Sequence, residues 1–337
     1  MATPREDGFY MPAEWGPHLR TWMMWPCRTE VWDDMAVTRA AYVDVAHAVR
    51  RCEPLTMIVR PEDEAEAHDL LGSDIDLMVS PIDDSWSRDA GPCFLVDGKG
   101  NRAGACFRFN AWGGKYTPHD GDDAVAEAIL AAAGVPAYHS QLIAEGGGIS
   151  VDGQGTILTT ETCFPNANRN PDWSRDAIEA ELKEMLGGEK VIWLPGSHLE
   201  VETNGHVDGI AQFVAPGIAL VESPGPEGHE EDRTIAANNA ALEGQVDATG
   251  APIRMVHLPY APPDKVAVGE RFCTSYVNSY LCNGAVIMPK YGLRQDEMVA
   301  EIFADVLPGR EVIGVGVSSI AVGGGGIHCI TQQEPAP

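Results

Sequence analysis

Four short hairpins recur along the chain, and their spacing restricts the folds it can adopt. Each joins two β-rich runs through a glycine turn: CFLVDGKGNRAGACF at 93–107, ISVDGQGTILTT at 149–160, IAQFVAPGIALV at 210–221 and SYLCNGAVIMP at 279–289. The DG, NG and PG pairs are hairpin signals, because the tight turn needs a residue free to take positive φ. A polar or glycine-containing stretch precedes every hairpin: SWSRDAGP, AEGGG, TNGHVDG and CTSYVN. Helical patterns follow or intervene, in 33–52, 61–72, 122–134, 174–188, 230–245 and 295–309. Ser174 is placed to cap the fourth of these, and glycines stop several others. The order loop, hairpin, helix, strand thus repeats about every 56 to 70 residues.

A unit of that size is too small to close its own core, so it must bury its apolar face against its neighbours. The repeat predicts a radial array in which equivalent loops converge on one axis. The N-terminal MPAEWGPHLRTWMMWP and the C-terminal GGGGIHCITQQ are placed to supply the two halves of a fifth unit. A doubly wound sheet with hairpin excursions would account for the same elements. No low-complexity linker or composition shift divides the chain, so residues 1–337 are expected to form one domain.

Charge narrows the partners. Asp and Glu number 50 against 23 Lys and Arg, a formal net charge of −27. Nucleic acid and anionic membranes call for basic patches, and this chain points away from both. An acidic cleft suits a small cationic substrate, although the same charge also serves solubility alone. No apolar run reaches the ~18 residues of a membrane span, and MATPREDGFYMPAEW lacks an apolar signal core. A cytoplasmic protein with reduced thiols is expected. Its eight cysteines are too sparse for a disulfide framework and form no CxxC pair.

Chemistry-bearing residues sit where loops meet hairpins. Cys329 follows four glycines, which would leave it uncovered at a pocket floor; the alternative is a buried cysteine after a plain glycine loop. If 328–329 is a strand, His328 and Cys329 face opposite sides, and His328 is a hydrogen-bonded core histidine rather than the base for its neighbour, a catalytic role being the alternative. In TNGHVDG, His206 and Asp208 would share one strand face, as histidine with its acid or as base and cation anchor. No HExxH, Cys/His ladder or further acid at ligand spacing stands nearby, so no metal is expected. Asp83, Asp84, Arg88 and Asp89 crowd a turn with Trp86, which could wall a flat cation. Glu145 opens AEGGGI, either as a surface acid or as a group at the mouth of a cleft. Were the modules radial, Asp89, Glu145, His206, Asp208 and Cys329 would converge. Carboxylates around a thiol suit a planar guanidinium attacked at carbon.

These stretches resemble the agmatine deiminase and bacterial peptidylarginine deiminase family. The match runs through MPAEWGPHLRTWMMWP, DDSWSRDAGPCFLVD, EGGGISVDGQGTILTTETCFPNANRNP, ETNGHVDGIAQF, SYVNSYLCNGAVIMP and GGGGIHCITQQ, spanning residues 11–333. The resemblance implies an α/β fold, a five-bladed pseudo-symmetric propeller, and hydrolysis of a guanidine without metal or organic cofactor. It implies Cys329 as nucleophile, His206 as general acid and base, Asp89 and Asp208 as guanidinium anchors, Glu145 assisting, and Trp86 lining the pocket. It further implies a thiouronium-like intermediate on sulfur, and dimers or higher homo-oligomers. The family's agmatine deiminases usually read DETNGHVDN and GGGNIHC; Val201, Gly209 and Gly326 depart from that, beside the substrate-binding region. The resemblance makes agmatine the first substrate expected, and these departures weaken that choice more than they weaken guanidine hydrolysis. Another alkylguanidine, peptidyl-arginine, amidino transfer or a non-catalytic guanidine binder are the alternatives.

Overall fold

A computed structural model describes residues 2–225, 228–262 and 273–337. Its strands form five separate small sheets rather than one continuous sheet, which excludes the doubly wound arrangement among the described residues. Four of the sheets share a plan. An antiparallel hairpin comes first, then a helix, then a third strand parallel to the hairpin's second strand. The pairs Cys93–Val96 and Arg102–Arg108 are joined by Ala137–Ile143; Ser150–Val151 and Thr156–Thr160 by Lys190–Leu194; Ala211–Ala215 and Ile218–Glu222 by Arg254–Leu258; Tyr280–Cys282 and Ala285–Lys290 by Glu311–Gly316. The parallel partner requires a crossover, and a helix supplies it each time: Val125–Ala133, Arg175–Leu186, Glu230–Leu242 and Gln295–Val306.

The fifth sheet is built from both chain ends. His18–Met24 pairs antiparallel with Gln332–Pro335 and parallel with Leu55–Val59, and Asp76–Val79 completes it. The N-terminal and C-terminal stretches thus make one unit, as their sequences suggested.

Local chemistry sets the boundaries. Gly217 and Gly284 turn their hairpins at φ of 66° and 71°. Ser174 accepts from the Ala177 amide at 3.2 Å, and Gly187 ends that helix in the left-handed region. Asp34 caps the helix Met35–Arg50, whose inner face buries Tyr42, Val45, Ala46 and Val49. The largest apolar core lies between that helix, Leu55–Val59 and the strands and helix of residues 280–306. Each fully buried large aliphatic or aromatic side chain contributes about 1.5–3 kcal/mol there. No helix among the described residues is long and apolar enough to cross a membrane.

Candidate active site

Four single turns position the chemistry. Ser87–Ala90, Gly146–Gly148, Val207–Gly209 and His328–Ile330 each precede the first hairpin strand of a sheet or its equivalent. They pack in succession: 328–330 against 87–90, 87–90 against 146–148, and 146–148 against 207–209. Glycines permit this crowding. A Cβ on Gly147 would lie 2.5 Å from His206 Nδ1 and 2.7 Å from Asp89 Oδ1. In the C-terminal run, a Cβ on Gly325 would strike the Trp86 ring at 2.2 Å and one on Gly326 would strike Asn278 Oδ1 at 2.4 Å. That glycine run exists for close approach around Cys329.

Asp89, Glu145 and His206 form one side of the site. Asp89 accepts from the Trp112 indole N–H at 2.9 Å and from the Gly147 amide at 3.0 Å. Trp112 reaches it from a left-handed backbone (φ 53°), a strained conformation for a bulky residue. Burial pushes the Asp89 carboxyl up to about 6; the His206 charge opposes this, and Asp208 and Glu145 add to it. Glu145 is fully buried against Arg169, whose Nε donates to it at 2.6 Å. Burial alone would raise its pKa, but Arg169 and His206 hold it at about 2. His206 Nδ1 stands 3.7 Å from Asp89 and Nε2 3.6 Å from Glu145, and neither ring nitrogen has a hydrogen-bond partner. Burial favours the neutral ring, yet the flanking charge, that of Asp89 foremost, keeps its pKa well above the ordinary 6.5.

Asp208 and Cys329 form the other side. The Cys329 Sγ lies 3.6 Å from Asp208 Oδ2 and 3.2 Å from the Asn278 side-chain nitrogen. Burial, and then the charges of Asp208 and Asp89, push the thiol well above its usual range. Asp208 itself stays below the normal carboxylate range: burial opposes this, but the His328 ring outweighs it.

Two strand readings fail here. Residues 207–209 and 328–330 are tight turns, so alternation does not apply. His206 contacts Asp89 and Glu145, and it lines one cavity together with Asp208. His328 is a buried, hydrogen-bonded histidine as expected, but it does not point away from the site: its Nδ1 meets the same Asp208 oxygen that Cys329 approaches, at 2.8 Å, and its Nε2 meets Glu14 at 2.8 Å. Glu14 also contacts Arg88 at 3.4 Å.

A cavity of about 230 Å³ opens on these groups, with His206, Asp208, Cys329, Asn278 and Glu202 among its lining residues. A narrower slot of about 20 Å³ is lined by Trp86, Asp89, Trp112, Tyr116, Glu202 and Cys329. Trp86 stacks on Trp32 with centroids 5.5 Å apart. Glu202 accepts from the Tyr116 hydroxyl at 2.9 Å. Of the three departing positions, Gly209 lines the larger cavity with open space around it, and Val201 is 58% exposed at that cavity's wall. Gly326 lines neither space; it is a packing glycine against Asn278. Glu14, Trp112, Cys163, Arg169, Glu202 and Asn278 carried no individual signal in the sequence. The charged and polar residues embedded in the family-like stretches were the available clue, but pairing partners so distant in sequence is not readable from one chain.

A ring of buried carboxylates around a thiol and an imidazole is a site for a small organic cation. The chain belongs to the Porphyromonas-type peptidyl-arginine deiminase family, whose profile matches residues 10–335. It is 39% identical to the agmatine deiminase of Stutzerimonas stutzeri, covering 100% of this chain and 98% of that one. Among solved structures it superposes on the agmatine deiminase of Enterococcus faecalis with a TM-score of 0.94 and 34% identity, over 100% of this chain and 98% of that one. The agmatine deiminase of C. jejuni shares the fold, with a TM-score of 0.83 at 22% identity over 98% and 96% of the two chains.

Proposed function

We propose that this protein hydrolyses a small alkylguanidine, agmatine first, to the ureido compound and ammonia. The observation that carries the reading is the buried Cys329 thiol 3.6 Å from the Asp208 carboxylate, its pKa raised first by burial and then by the charges of Asp208 and Asp89. Without a cation the thiol stays protonated. A guanidinium bound to Asp89 and Asp208 offsets the two charges that add to burial in opposing ionisation and brings its carbon to the sulfur; the thiol proton leaves to solvent, where the released ammonia takes one up. The substrate thus activates its own nucleophile.

The thiolate adds to the guanidinium carbon, and the protonated His206 gives its proton to the departing nitrogen, releasing ammonia. The remaining thiouronium on Cys329 is attacked by water, whose proton passes to the now neutral His206. Breaking the carbon–sulfur bond frees the ureido product and restores the thiol. Glu145, fixed by Arg169, stabilises the imidazolium. Glu202, which lines the same slot as Cys329, suits the distal ammonium of agmatine. Similarity to agmatine deiminases over the full chain supports the same substrate. The five sheets and their successive turns favour a five-bladed α/β propeller acting as one catalytic unit, since the proposed site draws on residues from Glu14 to Cys329. The proposed setting is the cytoplasm, in the supply of putrescine.

An ammonia-release screen over agmatine, arginine, guanidinobutyrate, simple alkylguanidines and an arginine peptide tests the reading, with Cys329→Ser in parallel. The wild type should turn over agmatine fastest, and the serine variant should bind agmatine without releasing ammonia. Normal turnover by Cys329→Ser would refute the covalent route. No release from any guanidine would refute the activity.

A further inference from the structure

One buried thiol near the site has no part in the proposed reaction. Cys163, fully buried, lies beside Glu145 and His206, and a donor atom from each of the three falls within 4.8 Å of the others. The Glu145 Oε2 stands 3.6 Å from His206 Nε2 and 3.9 Å from Cys163 Sγ. His206 is 4% exposed, lines the cavity, and neither of its nitrogens is hydrogen-bonded. Each nitrogen instead faces a carboxylate at 3.6–3.7 Å, beyond hydrogen-bond reach, which leaves room for a shorter bond to an ion.

We propose that Glu145, Cys163 and His206 form a binding site for Zn²⁺ that reversibly inhibits the enzyme. The donor set is one imidazole nitrogen, one sulfur and one carboxylate oxygen, a mixture that suits zinc and excludes the oxygen-seeking Ca²⁺ and Mg²⁺. Tetrahedral bonds of about 2.0–2.3 Å place neighbouring donors about 3.3–3.8 Å apart. The two separations seen need to contract by only a few tenths of an ångström. The second carboxylate oxygen of Glu145 is held by Arg169, which leaves Oε2 for the metal. His206 Nδ1 faces Asp89 at 3.7 Å, the carboxylate partner that a zinc-bound imidazole usually has. Of the three ligands His206 lines the cavity, the side from which the ion and a fourth ligand, water, would enter. Cys163 binds as thiolate, its proton passing to solvent.

Inhibition rests on the proposed role of His206: a metal on Nε2 leaves the ring only its Nδ1 proton, so it can no longer cycle between the charged and neutral forms. Binding itself does not depend on that role. The test is Zn²⁺ competition against a chromophoric chelator, with Co²⁺ spectra, on the wild type, Cys329→Ala, Cys163→Ala and Cys163→Ser, each checked by thermal melt. The expected result is one Zn²⁺ per chain in the wild type and in Cys329→Ala, with affinities within about threefold, and at least 30-fold weaker binding in both Cys163 variants. A thiolate-to-cobalt charge-transfer band should persist in Cys329→Ala and vanish in Cys163→Ala. Loss of zinc in Cys329→Ala with retention in the Cys163 variants would overturn the site, as would no binding below about 100 μM in the wild type. If zinc binds as expected while ammonia release continues unaffected, the inhibitory part is overturned and the site stands. If no guanidine is turned over at all, the reaction reading fails and the binding results still decide the site.

Discussion

Replacing Arg169 by methionine should expose how much the buried Glu145 carboxylate depends on one partner. Both side chains are fully buried; Nε donates to Glu145 Oε1 at 2.6 Å, and the guanidinium also donates to Asn168 and Asn204 at 2.8 Å and to the Thr203 carbonyl at 3.1 Å. The folded-state pKa of Glu145, about 2 against the ordinary 4.5, lies below the unfolded value. A lowered carboxylate stabilises the fold above its unfolded pKa, and that contribution drains away as pH falls toward the folded pKa. At 1.36 kcal/mol per pH unit the shift amounts to about 3 kcal/mol at pH 7 and about 2 kcal/mol at pH 3.5. Removing one member of a buried pair costs about 3–5 kcal/mol by independent measure, so the two figures agree. The assay is urea unfolding of the wild type, Arg169→Met, Glu145→Gln and the double variant at pH 7. Arg169→Met should lose about 3–5 kcal/mol, and the double variant should recover much of it, since a neutral pair leaves no stranded charge. A single variant within about 0.5 kcal/mol of wild type, or a double variant no better than Arg169→Met, would refute the reasoning.

The pH dependence of kcat/KM should show an acid limb near 6, rising with pH as Asp89 ionises to receive the cation; a profile flat to pH 5 would count against Asp89 as an anchor. Gly147→Ala should lower kcat/KM about 100-fold or more, because the new methyl would displace His206 and Asp89 from reacting geometry. Gly316→Ala, with open space around it, is the control and should match wild type in activity and melting temperature. His328→Gln should lower kcat/KM roughly 10- to 100-fold, since an amide cannot replace a charged ring bridging Asp208 and Glu14. Unchanged kinetics would return His328 to the role of a core residue.

Much of the scaffold was readable before any coordinates. Helix limits followed from apolar period, caps and stops: Ser174 and Gly187 bracket Arg175–Leu186, and Gly134 ends Val125–Ala133. The hairpins followed from glycine turns between β-rich runs. These signals are local, carried by residues a few positions apart. The strand reading of 206–208 and 328–329 failed for the same reason, because alternation is local too and gives no warning of a tight turn imposed by packing.

The amino-acid sequence alone determined the repeating unit, the family, and the few loops where reactive side chains could gather. Which of those side chains touch was settled only by tertiary structure. Glu14 meets His328 across 314 positions and Cys329 meets Asp208 across 121. Contacts of that range depend on how whole sheets and their turns pack, a cooperative outcome of many buried surfaces. So do the charges: Asp89 at about 6 and Glu145 at about 2 are both buried carboxylates, told apart by Arg169 beside the second and by the acidic neighbours Asp208 and Glu145 around the first.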